Sequence, residues 1–137
     1  MSRDMSTGIA IFAHGSSVPS ANDAVRAVAA RVALHGGFPL VEAAFLEQGS
    51  PDLAEAVARL AAAGASKILV VPYFLTLGLH LQRDLPRLVA DVARVQPAVE
   101  IRVTPPLDGH PAMEQALIER AKDGEKAWND GETPRIP

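Results

Sequence analysis

Four short apolar runs, each followed by an amphipathic stretch, restrict the fold of this chain more than any other feature. The runs are GIAIFA at residues 8–13, LVEAAFL at 40–46, KILVVPYF at 67–74 and VEIRVTP at 99–105. From Ile9 to Ala13 five apolar residues follow one another without a polar break. That is the pattern of a strand buried on both faces, as parallel strands are when helices cover them.

The stretches between the runs carry helical spacing and end signals. In residues 19–37, Ala24, Val25, Val28, Ala29 and Val32 recur on one face, Ser20 is the expected cap, and Gly36-Gly37 the expected stop. Residues 50–64 open with Ser50 as cap, Pro51 in the first turn and Asp52 near the positive helix end, and Gly64 closes them. After the third run comes a loop, LTLGLH, and then LQRDLPRLVADVARV, where Pro86 marks the expected first turn and Asp84 the expected cap. A last helix is expected over residues 109–124, with 125–137 as a polar, proline-ended tail, flexible or docked on a partner.

Strand–helix alternation predicts an α/β protein: a small four-stranded parallel sheet, doubly wound, with helices on both faces. Right-handed crossovers allow the strand order 2-1-3-4, which is the order expected. The 137 residues, 48% of them apolar and 21% charged, suit one domain with a real core, placed at residues 1–124.

Composition then removes whole classes of function. The net charge is −3 and no Lys/Arg run occurs, so nucleic acid is not expected as a partner. Aromatics at 4% offer no base-stacking platform. With no cysteine there is no disulfide, thiolate zinc site, iron–sulfur cluster or thiol nucleophile. No apolar stretch approaches the ~18 residues of a membrane span. The opening MSRDMSTG lacks a signal core, so the cytoplasm is the expected location.

Sites in open parallel sheets form beyond the carboxyl ends of the strands. His14 follows the first run and Glu47 the second; His80 closes the loop after the third, and His110 follows the fourth. Thirty-three residues separate His14 from Glu47, and again Glu47 from His80. A βα repeat explains that spacing without any function, yet it sets each polar group at the same sheet edge. With strand 1 inside the sheet, Glu47 and His80 flank His14. Two imidazoles and a carboxylate suit a divalent first-row metal, and equally suit proton transfer near neutral pH. Taken singly, each has an ordinary explanation: a loop histidine, or a solvated carboxylate. His35 sits in a last helical turn and His110 at a helix start, where structural roles are the commoner ones.

Other motifs are missing. There is no P-loop, no G-x-S-x-G elbow, and no G-x-G-x-x-G after strand 1. Gly15-Ser16-Ser17 still offers backbone N–H groups to an anion near a helix start.

FAHGSS after strand 1, AFLEQGSPDL after strand 2 and VVPYFLTLGLHLQRDLP after strand 3 resemble the CbiX/SirB family of sirohydrochlorin chelatases, as does the later PPLDGHPAM. The most specific part is P-x-F-L-x-x-G-x-H-x-x-x-D-x-P, here Pro72 to Pro86, and the likeness covers roughly residues 8–121. The resemblance implies a class II chelatase that inserts Co²⁺ or Fe²⁺, or else Ni²⁺, into sirohydrochlorin without ATP, on the way to cobalamin or siroheme. The metal is then a substrate, and no permanent cofactor is implied. His14, His80 and Glu47 carry over as catalytic and metal-binding residues. Ser16, Ser17, Arg83 and Arg87 are candidates to hold the carboxylates of the substrate, although Arg83 and Arg87 also fit an ordinary exposed helix face. Longer family members resemble two such halves in one chain, so the short form implies a homodimer. Two alternatives remain: a non-enzymatic metal or tetrapyrrole carrier on the same fold, and a flavodoxin-like phosphate or signalling module. A receiver-type module needs an acidic residue at the end of a central strand, where this chain has His14.

Overall fold

A computed structural model describes residues 7–132, which divide after Pro106 into two compact units. The first unit holds strands β1 (Thr7–Ala13), β2 (Leu40–Phe45), β3 (Lys67–Pro72) and β4 (Glu100–Val103). It also holds helices α1 (Pro19–Gly36), α2 (Leu53–Ala62) and α3 (Leu79–Val95). All three strand pairs are parallel and the order is β2-β1-β3-β4, as the sequence predicts.

The unbroken apolar run of β1 is explained by burial on both sides. Ala10 and Phe12 face a core built with Ala56, Val57 and Leu60 of α2 and Leu85 and Val92 of α3. Ile9, Ile11 and Ala13 face the other way, toward Ala29, Val25 and Val32 of α1. Period-two alternation thus feeds two cores from one strand. The register sets Phe12 level with Ala44 of β2 and Pro72 of β3, so these three strands end together and deliver their succeeding loops to one edge.

Three helix starts differ from expectation. Val18, not Ser20, precedes α1, whose first residue is Pro19. Proline suits that position because its missing N–H has no helical acceptor there. Asp52, not Ser50, caps α2, its carboxylate accepting the N–H of Glu55 at 2.9 Å. The third helix starts at Leu79 after Gly78, so His80 lies in its first turn, Asp84 is no cap, and Pro86 lies inside the helix. Pro86 cannot donate to the carbonyl one turn back. The stripe Leu81, Leu85, Leu88, Val89 and Val92 nevertheless packs on the core, and that burial outweighs one lost bond. The stops are as read: Gly37 ends α1 at φ 69°, and Gly64, at φ 111°, follows α2.

The second unit holds α4 (Pro111–Asn129). It continues past the expected stop at Gly124, so part of the expected tail is helical. A helix-interior glycine costs only ~1 kcal/mol, and Glu125, Lys126 and Ala127 are good helix formers. Residues 133–137, the rest of that tail, lie outside the described residues. No residue of α4 is buried. No helix among the described residues is long and apolar enough to cross a membrane.

Candidate active site

The pairing of β1 with β2 does not stop where the strands do. Leu46 donates its N–H to Ala13 and Glu47 donates to His14, at 2.9 and 3.0 Å. This continuation of the ladder carries two loop residues into register. The Nε2 of His14 lies 3.5 Å from Oε1 of Glu47, with both side chains more than half exposed. The imidazole is also held from beyond β3: its ring meets Phe74 edge-on at 6.4 Å, and Phe74 in turn meets the buried Phe12 at 6.1 Å. Tyr73 donates its N–H to Phe12, which fixes the chain at the mouth of β3.

Gly15 explains the small residue after the histidine. Its φ is 93°, and a β-carbon there would stand 1.7 Å from the carbonyl oxygen of Glu47. The glycine lets the two loops touch backbone to backbone. The sequence predicts an open anion nest at Gly15-Ser16-Ser17. The Ser16 N–H is instead already taken, by Asn22 Oδ1 at 3.0 Å, and the Ser16 hydroxyl accepts from Val18. Beyond Glu47, Gln48 adopts φ 53°, a left-handed conformation that costs a non-glycine residue ~1–2 kcal/mol.

His14 and His80 line one cleft of about 360 Å³ with Leu46, Phe74, Thr76, Leu79 and Asp84. The first turn of α3 brings His80 there, and Asp84 stands one turn later on the same helical face. Leu46 is exposed, as are Leu75 and Leu79 at 72% and 78%, so apolar surface lies open beside the histidines. Open apolar surface beside a few polar groups is the profile of a ligand-binding cleft.

The predicted residues are thus gathered only in part. His14 pairs with Glu47, and His14 shares the cleft with His80. Among the described residues, however, no group of three His, Cys, Asp or Glu side chains stands close enough to hold a metal. The expected three-way convergence is not preformed, because His80 sits on a helix rather than at the strand end. Ser16 and Ser17 line a separate hollow of about 310 Å³ beside Asn22 and Arg26. Arg83 and Arg87 are exposed on α3 and pair with no described residue. His110 serves the fold, since its Nδ1 accepts the N–H of Ala112 and caps α4. His35 lies in the last turn of α1.

Sequence reasoning missed Asp84 and Asn22. Asp84 was legible from its four-residue spacing to His80, once the helix start is set at Leu79. Asn22 occupies the core-facing stripe of α1, three residues before Val25 and seven before Ala29, where an apolar residue is the rule.

The fold and the edge together define the class: a small open-sheet α/β protein with a histidine–carboxylate pair and an apolar cleft at the carboxyl ends of its strands. The CbiX family model matches residues 8–124, and the chain belongs to the CbiX family. It is 30% identical to the sirohydrochlorin cobaltochelatase of Methanopyrus kandleri, over 84% of this chain and 94% of that one. It is 34% identical to the sirohydrochlorin cobaltochelatase of Saccharolobus solfataricus, over 85% and 94%. A CbiX-type protein from Marinobacter aquaeolei superposes with a TM-score of 0.76 at 26% identity, over 88% of this chain and 98% of that one. The cobalt complex of the sirohydrochlorin chelatase SirB from Bacillus subtilis superposes with a TM-score of 0.79 at 28% identity, over 85% of this chain but 50% of that one.

Proposed function

We propose that this chain is a sirohydrochlorin chelatase, inserting cobalt or iron as the divalent ion into sirohydrochlorin without ATP. The observation that carries the reading is the His14–Glu47 pair, 3.5 Å apart at the sheet edge, with His14 sharing an apolar cleft with His80. Relatives named sirohydrochlorin cobaltochelatase, and SirB structures with cobalt and with Fe³⁺, support it.

Insertion exchanges one dication for two protons on the inner nitrogens of the macrocycle. A neutral imidazole can ligate the ion or accept a proton, and a carboxylate offsets the ion's charge on its way in. In this reading His14 and Glu47 receive the ion at the strand ends. His80, across the same cleft lining, ligates it or takes up a released proton. No closed three-ligand cage is needed: a substrate ion must leave the protein, and the macrocycle supplies its final ligands. Leu46, Leu75 and Leu79 lie against the flat face of the ring. Arg83 and Arg87 hold its peripheral carboxylates, with Ser16 and Ser17 as further polar contacts. Nickel is a third metal such donors accept.

Residues 1–124 form the acting domain in this reading, and the chain works in the cytoplasm as a homodimer. One sheet edge covers one face of a macrocycle, and a second copy supplies the other. The double length of SirB, of which this chain spans half, favours that arrangement. The product feeds cobalamin or siroheme formation.

Incubating the protein with sirohydrochlorin and Co²⁺ or Fe²⁺ while following the absorption spectrum tests the reading. Many turnovers per chain are expected. Uptake in a fixed ratio, with no gain over spontaneous metallation, would make the protein a carrier instead.

A further inference from the structure

We infer that Asn22 is a positioning residue of this site, tying the His14 loop to the Glu47 loop so that the two side chains stay in register; the inference rests on the chelatase reading. Asn22 is 7% exposed and lies on the core-facing stripe of α1. An apolar residue there would add to the core, whereas a buried amide is costly unless its hydrogen bonds are met. They are met, and all by the two loops. Its Oδ1 accepts the Ser16 N–H at 3.0 Å, and its Nδ2 donates to the Ser16 carbonyl at 2.8 Å and to the Gln48 carbonyl at 2.9 Å. Ser16 is two residues past His14, and Gln48 is one past Glu47.

The loops need such a tie. Both turn sharply, with Gly15 at φ 93° and Gln48 at φ 53°. The His14–Glu47 pair itself is exposed and weak, so it cannot hold its own geometry. The shared backbone bond from Glu47 to His14 sits on one side of the turn, and Asn22 anchors the other. Arg26, one turn along α1, adds a second tether by donating to the Ser50 carbonyl at 2.8 Å. The inside of α1 therefore acts as the template on which the two donors are spaced. A shift of ~1 Å in such a pair is enough to cost a reaction dearly.

A double-mutant cycle between Asn22→Ala and Glu47→Gln tests this, read by two measurements on the full chain. The first is Co²⁺ titration of the protein without tetrapyrrole. The second is steady-state metal insertion, with circular dichroism to confirm folding. In the presence of Glu47, Asn22→Ala is expected to weaken Co²⁺ binding and lower kcat by about 10-fold, with the KM for the tetrapyrrole changed less than about twofold. In the Glu47→Gln background the same substitution is expected to add almost nothing. If Asn22→Ala does not fold, Asn22→Ser, which keeps a smaller hydrogen-bonding side chain, is carried through the same cycle. Unchanged Co²⁺ affinity and kcat would overturn the inference. So would equal losses with and without Glu47, which would mean a general loosening of the core. Absence of turnover in the unaltered protein would remove the chelatase reading, and the Co²⁺ cycle would still decide the role of Asn22.

Discussion

Glu47 meets His14 at two points: its backbone N–H donates to the His14 carbonyl at 3.0 Å, and its carboxylate lies 3.5 Å from the His14 imidazole. The first contact extends the sheet ladder and fixes where the two residues start. The second contact results from the first, because neighbouring residues of a parallel register emerge together at the strand ends. An exposed pair of this kind adds little to stability. In the proposed chelatase its value lies in presenting an imidazole nitrogen and a carboxylate oxygen to the same incoming ion.

His14→Ala and His80→Ala are each expected to lower metal insertion by about 100-fold or more. Both side chains are exposed, so the melting temperature is expected to stay within ~2 °C of the unaltered protein. Steady-state rates with circular dichroism melts check this. Near-normal rates in both variants would remove the histidines from the chemistry.

Asp84 lines the cleft one helical turn from His80 and makes no ion pair with any described residue, which leaves its carboxylate available to a cation. Asp84→Asn is expected to raise the KM for Co²⁺ by roughly 3–10-fold while leaving the KM for the tetrapyrrole unchanged. Metal titrations at saturating tetrapyrrole separate the two constants. An effect on the tetrapyrrole alone would make Asp84 a wall of the cleft and nothing more.

Gly15→Ala sets a methyl group against the Glu47 carbonyl on a backbone at φ 93°. The loops must part, and a cost of roughly 2–4 kcal/mol is expected, seen as a fall in melting temperature of roughly 5–15 °C. Activity should fall with it, since the parting separates Glu47 from His14. A wild-type melt and rate would show that the close approach is dispensable.

Homodimer formation is expected in solution, and sedimentation equilibrium measures it as twice the chain mass at micromolar concentration. Mixing inactive His14→Ala and His80→Ala chains gives a second reading. Recovery of part of the activity would show that one site draws groups from both copies. A monomer with full activity would confine the site to one sheet edge.

Much of this architecture was legible in the sequence because its causes are local. Five apolar residues from Ile9 to Ala13 specify a doubly buried strand, and helical spacing marks α1 and α2 whatever lies around them. Gly37 ends α1 for a reason internal to the residue, its freedom at positive φ. The order of strands is one that right-handed crossovers allow, and it sets His14 and Glu47 at one edge of the sheet. What tertiary structure alone decided are the contacts that join distant segments. Pro86 and Asp84 read locally as a helix start, but the apolar stripe from Leu81 to Val92 had a core to bury against and drew the helix back to Leu79, carrying His80 into its first turn. Gly15 reads locally as a phosphate-loop glycine, yet it is required by a carbonyl 32 residues away in the chain, that of Glu47. Asn22 reads as a helix residue of no special use until the loops of Ser16 and Gln48 close around its amide. Periodicity reports which face of an element is buried; which backbone atoms wait there is settled only when the whole sheet is assembled.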